Sequence, residues 1–310
     1  MRLLAFGDFH IKAGGQSLNY DGLEVPEGVD AVVSIGDVVH RITDADVAAG
    51  REFFERVVDA GVPVVAVPGN HDPDGEYERL VGGLPTAVNA HERVVDGTAF
   101  GGDGDPLDGH AIVGWGCEGF DFKPEIRVTD FDALDPRSAP RSERRHASDR
   151  AATRLEDALF GYVTADGDPD ELRERLGVRR GERTAFREQL DRTLSTFETL
   201  DGLLSEASGF PVVCTHIPPY NTPLDRHHSV GRREADLEGL HVGSIGLKLA
   251  LRKHRPIAAL SGHSHNGEYQ SGVDGTAGRP HMLNVGFRGI VDVEVDGDAG
   301  AFGFDVHHRA

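Results

Sequence analysis

Five places in the sequence close a short apolar run with side chains able to hold a metal ion: Asp8-Phe-His10, Gly36-Asp37, Gly69-Asn70-His71-Asp72, Thr215-His216 and Gly262-His263-Ser-His265. The donors are carboxylates, imidazoles and an amide oxygen, with no thiolate among them. That set suits Mn²⁺, Fe or Zn²⁺ and neither an iron–sulfur cluster nor a calcium cage. In an extended segment, residues i and i+2 face the same side, so Asp8 with His10, and His263 with His265, can each reach one centre. Seven donors (Asp8, His10, Asp37, Asn70, His216, His263 and His265) exceed the needs of one tetrahedral ion and match two ions sharing a bridging carboxylate. Two ions about 3.5–4 Å apart hold a hydroxide between them and clamp the oxygens of a phosphoryl group undergoing in-line attack.

The elements that must position these residues are legible around them. Leu3–Gly7, Ala31–Gly36 and Val64–Gly69 are short apolar runs ended by glycine, and they read as buried strands. Between the second and third, Val47, Phe54, Val57 and Val58 recur at helical spacing after a Thr43/Asp44 cap, predicting a helix over Asp44–Ala60 and hence a parallel strand-helix-strand unit. Thr86–Gly116 reads as short strands joined as hairpins. From about 131 to 208 the charge density rises, and Leu190, Leu194, Phe197, Leu200 and Leu204 form one apolar stripe, so this stretch reads as a charged helical insertion. Strand patterns return at Phe210–Thr215 and Pro256–Ser261, flanking a helix at about Gly243–His254. Three closing strands, Met282–Val285, Ile290–Val295 and Ala301–Val306, read as antiparallel neighbours. Residues 1–310 are therefore expected to form a single domain carrying the insertion, with ligands gathered at the carboxyl ends of the strands.

Of the 310 residues, 52 are acidic and 32 basic, and only four of the basic residues are lysine. The net charge of −20 disfavours a nucleic-acid coat or an anionic membrane surface as the main partner. Acidic excess with so little lysine points to a salt-rich cytoplasm; an ordinary acidic cytosolic protein is the other reading. Cys117 and Cys214 lie in no CxxC spacing, and no run approaches a membrane span or a signal-peptide core. A soluble protein of the cytoplasm is expected, with no bearing on its oligomeric state.

At these five blocks, in this order, the sequence resembles the calcineurin-like metallophosphoesterase family, from Asp8 to His265. The resemblance implies an α/β fold, a four-layer αββα sandwich of two mixed sheets. It implies that Asp8, His10 and His265 bind one ion, that Asn70, His216 and His263 bind the other, and that Asp37 bridges them. His71 would contact the phosphate and protonate the leaving group, and Asp72 would act on the catalytic step or hold its loop. One departure is His40, which stands where many members carry an aspartate paired with the catalytic histidine. It is a second phosphate contact or a structural residue, and it tilts the reading toward phosphodiesters. The expected activity is hydrolysis of a phosphodiester or small nucleotide with two divalent ions, Mn²⁺ before Fe or Zn²⁺. A DNA exonuclease-like nuclease and a non-catalytic scaffold of the same fold are the alternatives, so nucleic acid stays a possible partner.

Outside the blocks, Arg226, Arg232 and Arg233 follow His216 in a loop and could bind substrate through their phosphate-matching forks, or pair locally. His227, His228 and His241 could line the same pocket. The arginines at 137, 141, 144 and 145 could form a rim patch or a solvated surface. Gly101–Gly104 lacks the lysine and helix of a phosphate-binding loop and reads as a turn.

Overall fold

The structure, a computed structural model, describes residues 1–14, 23–100, 107, 109–119, 124–165, 167–226 and 239–308. The chain divides into two compact units: Met1–Phe122 with Leu203–Pro218 and Arg255–Ala310, and Lys123–Gly202 with Pro219–His254.

The first unit is built on strands β1 (Arg2–Phe6), β2 (Ala31–Ser34), β3 (Val64–Ala66), β4 (Ala87–Asn89), β5 (Arg93–Val95), β6 (His110–Trp115), β7 (Phe210–Thr215), β8 (Ala258–Ser261), β9 (Tyr269–Ser271), β10 (His281–Asn284), β11 (Ile290–Asp296) and β12 (Ala301–His308). They form two six-stranded sheets, ordered β12-β11-β1-β2-β3-β4 and β5-β6-β7-β8-β10-β9. Both are mixed: β1 to β4 run parallel, β11 runs antiparallel to β1 and β12 antiparallel to β11, and β6, β7, β8 and β10 run parallel between antiparallel β5 and β9.

Side-chain alternation explains the layering. Leu3, Ala5, Ala31, Val33 and Val65 point to one face of the first sheet and pack with Ile112, Val212, Cys214, Leu260 and Leu283 of the second. Their neighbours Leu4, Phe6, Val32 and Val64 point the other way, onto the helices α1 (Asp44–Val58) and α2 (Asp74–Val81) through Phe53, Phe54, Val57, Tyr77 and Leu80. Strands apolar on both faces are what a sheet covered on both sides requires. Thr43 caps α1, accepting from the Asp46 N–H at 3.1 Å, as its position in the sequence predicts.

Two connections differ from the sequence reading. β4 is no hairpin partner: α2 carries the chain across, so β4 lies parallel to β3. β10 does not neighbour β11 but enters the second sheet, parallel to β8. Period-2 patterning reports which face a residue uses and says little about which strand lies beside it.

The second unit holds α3 (Arg144–Thr164), α4 (Pro169–Arg175), most of α5 (Arg183–Glu206) and α6 (Ile245–His254). Leu155, Leu159, Leu172, Phe186 and Leu190 are buried within it. Buried Glu125 accepts from Ser244 Oγ at 2.6 Å and from the Ile245 N–H at 2.8 Å, satisfying the open N-terminus of α6. Among the described residues, no helix is long and apolar enough to cross a membrane.

Candidate metal centre and active site

The seven expected ligands all lie in the first unit, on loops that leave the carboxyl ends of β1, β2, β3, β7 and β8. These loops are unusually tight. Among the described residues ten non-glycine residues have positive φ, and Asp8, His10, Asp37, His263 and His265 are five of them. Positive φ is a strained conformation for a residue with a Cβ, and it persists where tertiary contacts over-determine it.

Glycines let the loops close. A Cβ at Gly36, itself at φ +86°, would lie 2.5 Å from the Gly69 nitrogen, and one at Gly262 would lie 2.5 Å from Asp8 Oδ2. Buried Asp72 then ties two loops together: its carboxylate accepts from Gly69 N (2.8 Å), Asp37 N (2.9 Å), Val38 N (2.6 Å) and Val39 N (3.1 Å). Buried Asn284, at the end of β10, does the same for the last block. Its Nδ2 donates to the Gly262 carbonyl and to Ser264 Oγ, and its Oδ1 accepts from Gly286 N.

Donor atoms converge around Asp37. Its Oδ2 lies 3.6 Å from His10 Nε2 and 3.4 Å from His216 Nε2, so one carboxylate oxygen stands between the two halves of the cluster. On one side His265 Nε2 approaches Asp8 Oδ1 at 3.3 Å. On the other, Asn70 Oδ1 is 3.0 Å from His216 Nε2 and 2.9 Å from His263 Nδ1. Asp8, His10 and His265 form one trio of mutually close ligand atoms, and Asp8, Asp37 and His216 another. His216 Nδ1 lies 2.8 Å from the Ile35 carbonyl, which can only accept, so the proton is on Nδ1 and Nε2 faces the cluster. His10 Nδ1 is buried with no hydrogen-bond partner.

Electrostatics sharpen the picture. Burial, only partly opposed by Asp37 and Asp8, pushes the His10 imidazole down to about 4. Burial and His216 push His263 down to about 3. Both are therefore neutral ligands at pH 7. Burial disfavours charge on His216 as well, but Asp37 outweighs it and raises that imidazole to about 9. Burial alone would raise the Asp37 carboxyl; His216, His10 and His71 together hold it well below the usual carboxylate range. Burial and the Asp37 charge raise Asp72 to about 7, against the pull of its backbone N–H donors.

His71 sits beside this cluster, its ring 4.6 Å from that of His10. Its Nδ1 lies 2.9 Å from the His40 carbonyl oxygen, so the proton of the neutral ring belongs on Nδ1. The acceptor for His71 is thus the backbone of His40 and not a carboxylate side chain. The His40 ring stacks on His71 at 5.2 Å, and burial together with Lys12 and His71 lowers its pKa, leaving it neutral.

The calcineurin-like phosphoesterase profile matches residues 1–267. The chain belongs to this family. The fold is accordingly its α/β sandwich of two mixed sheets, and the family implies hydrolysis of a phosphoester at a dinuclear divalent metal centre. Donor atoms 2.9–3.6 Å apart fit that centre, since ligands about 2.0–2.2 Å from a shared ion stand at such spacings. No curated protein sequence matches the chain significantly. Among solved structures, the phosphopantetheinyl hydrolase PptH from Mycobacterium tuberculosis is similar at a TM-score of 0.46 and 17% identity, over 92% of this chain and 89% of that one.

The remaining expected residues are placed differently. Arg226 belongs to the second unit, where its guanidinium pairs with Asp149 and donates to the Gly239 carbonyl at 2.8 Å. Burial and Arg145 lower its pKa to about 10. His241 is held there too, between Asp225 (2.7 Å) and Asp149 (3.3 Å). Arg232, Arg233, His227 and His228 lie outside the described residues, as does Gly101–Gly104. Sequence reasoning missed Asn284, although Asn284-Val-Gly286 sets a polar residue and a glycine at a strand end, as four of the five blocks do.

Proposed function

We propose that this phosphoesterase cleaves a phosphodiester or a small nucleotide, with Asp8, His10 and His265 holding one ion, Asn70, His216 and His263 the other, and Asp37 shared between them. The observation that carries the reading is the position of Asp37 Oδ2, within 3.6 Å of His10 Nε2 and 3.4 Å of His216 Nε2. Two divalent ions bound there supply Lewis-acid charge for the phosphoryl oxygens and make water a nucleophile at neutral pH; the oxygen- and nitrogen-rich donor set favours Mn²⁺.

The rest is done by side chains. Asp72 and Asn284 hold the ligand loops in register through backbone hydrogen bonds. His71, with Nδ1 engaged by the His40 carbonyl, presents Nε2 to the leaving oxygen and in its imidazolium form delivers the proton there. Alkoxide leaving groups of diesters need that proton most. His40, stacked on His71 and uncharged, adds a second nitrogen on the same side and introduces no negative charge to repel an anionic substrate. The acidic, lysine-poor composition fits a salt-rich cytoplasm.

Side-by-side hydrolysis of bis-p-nitrophenyl phosphate and p-nitrophenyl phosphate, in high salt with Mn²⁺ and with chelator, tests this. Metal-dependent cleavage favouring the diester is expected. Preference for the monoester would refute the substrate reading, and no turnover of either ester with both ions bound would point to the scaffold.

A further inference from the structure

Asn284 anchors the turn from β10 to β11, and that turn carries Phe287 and Arg288 to the rim of the cluster. The Phe287 ring lies 4.9 Å from the His265 ring and 6.1 Å from the His10 ring. The Arg288 guanidinium also stands over this ring, 4.7 Å from its centroid. The backbone is committed to this placement: Arg288 has φ +53°, and its N–H donates to the Asp8 carbonyl at 3.3 Å.

What is missing is a partner for the charge. Arg2, Arg79, Arg137 and Arg252 each close on a carboxylate. Among the described residues Arg288 pairs with none, and its Nε is buried without a hydrogen-bond partner. In a chain of net charge −20, a guanidinium at the edge of the metal-ligand cluster that pairs with no carboxylate among the described residues has its charge available to an anion. A buried donor without an acceptor is unfavourable unless a ligand supplies one. The guanidinium lies over the Phe287 ring, and a planar fork of this kind is the group that recognises phosphate oxygens in bidentate fashion. Arg288 reaches the cluster through Phe287, whose ring also meets His265, so its counterpart is an anionic group beside the phosphoryl group being cleaved.

We propose that Arg288 is a specificity-determining substrate contact that binds a second phosphate group of the substrate. The proposal rests on the phosphodiester reading above and adds that the natural substrate carries a phosphate besides the scissile one. Calorimetry on the Mn²⁺-loaded protein, at fixed free metal, compares inorganic phosphate with pyrophosphate. Pyrophosphate is expected to bind about 10–100-fold more tightly, the worth of a charge-assisted bidentate contact. R288A and R288M should abolish that difference, and R288K should restore it in part, because an ammonium carries the charge without the fork. In parallel, kcat/KM is compared for the thymidine dinucleotides pTpT and TpT, which differ in one terminal phosphate. The preference for pTpT should fall about 10–100-fold in R288A, mostly through KM, with melting temperature and bound metal as controls for folding. A pyrophosphate advantage that survives in R288A and R288M, or a pTpT preference within threefold of the parent, would overturn the assignment. If the parent cleaves neither dinucleotide, the diester reading fails while the calorimetric comparison still decides Arg288.

Discussion

Gly69→Ala places one methyl group between the two loops that meet at Asp37. A Cβ there would run into Asp37 Oδ1 and Asp37 N and stand 2.9 Å from Asp37 Cγ, where carbon contacts settle at about 3.5–4.0 Å. The obstacle is the buried Asp37 carboxylate together with its own backbone nitrogen, and Asp72 holds both loops through Gly69 N and Asp37 N, so neither can swing aside alone. Asp37 must therefore retreat by something approaching 1 Å, and misplacement of that order costs roughly 100-fold in rate. Overpacking of this kind destabilises by about 1–3 kcal/mol, or about 1.5–5 °C in Tm for a chain of this size. Gly75→Ala is the matched control, since nothing lies within 4 Å of a Cβ at that position in α2 and a helical alanine should stabilise by up to about 1 kcal/mol. Metal content, kcat on a chromogenic diester and a thermal melt are measured for both variants. A Gly69→Ala protein that keeps two ions and turns over within threefold of the parent would show that the position of Asp37 does not control the centre.

Asp37→Asn should lose both ions by elemental analysis and lower activity at least 1,000-fold; retained dinuclear binding would remove Asp37 from the bridging position. His71→Ala should keep its metals and slow kcat about 10²–10⁴-fold, more for poor leaving groups than for p-nitrophenolate; equal losses across leaving groups would exclude proton donation. His40→Ala should cost much less than His71→Ala and preserve the parent's leaving-group dependence, because the bond that orients His71 comes from the His40 backbone. In the metal-free protein, His216 has its pKa raised from the ordinary 6.5 to about 9, so its stabilising contribution is complete below pH 6.5 and is lost as pH rises through about 9. Ion binding at pH 7 should accordingly release a proton from His216, read by calorimetry in buffers of different ionisation enthalpy; no buffer dependence would contradict the pairing with Asp37.

Much of the centre was legible because its strands announce themselves. Runs such as Ala31–Ile35 are apolar on both faces and end in Gly36-Asp37, so a parallel sheet and its carboxyl edge follow from local patterning. Non-local facts were out of reach. Nothing in the residues around β10 says that it joins β8, yet that pairing brings Asn284, and with it Phe287 and Arg288, to the site. The sequence singles out the three arginines after His216 and not Arg288; the fold shows that Asp149 takes Arg226, while among the described residues Arg288 pairs with no carboxylate.

His40 shows the limit most plainly. A sequence motif records side chains, and at this position a carboxylate is replaced by an imidazole that cannot do the same work. The geometry supplies His71 with an acceptor that does not depend on that side chain, because the carbonyl of the same residue lies 2.9 Å from His71 Nδ1. A backbone acceptor survives any substitution that preserves the loop, and the loop is preserved by Asp72, which receives the N–H groups of Asp37, Val38 and Val39. The orientation of His71 is thus secured without the His40 side chain, which on the proposed function is available for the substrate. Loss of Asp72 should therefore disturb His71 more than loss of the His40 imidazole does. Asp72→Asn exchanges one carboxylate oxygen for an N–H₂ group facing backbone donors, and it should flatten the leaving-group dependence that His40→Ala retains. If Asp72→Asn instead left that dependence intact, the loop would be held by something other than the Asp72 carboxylate.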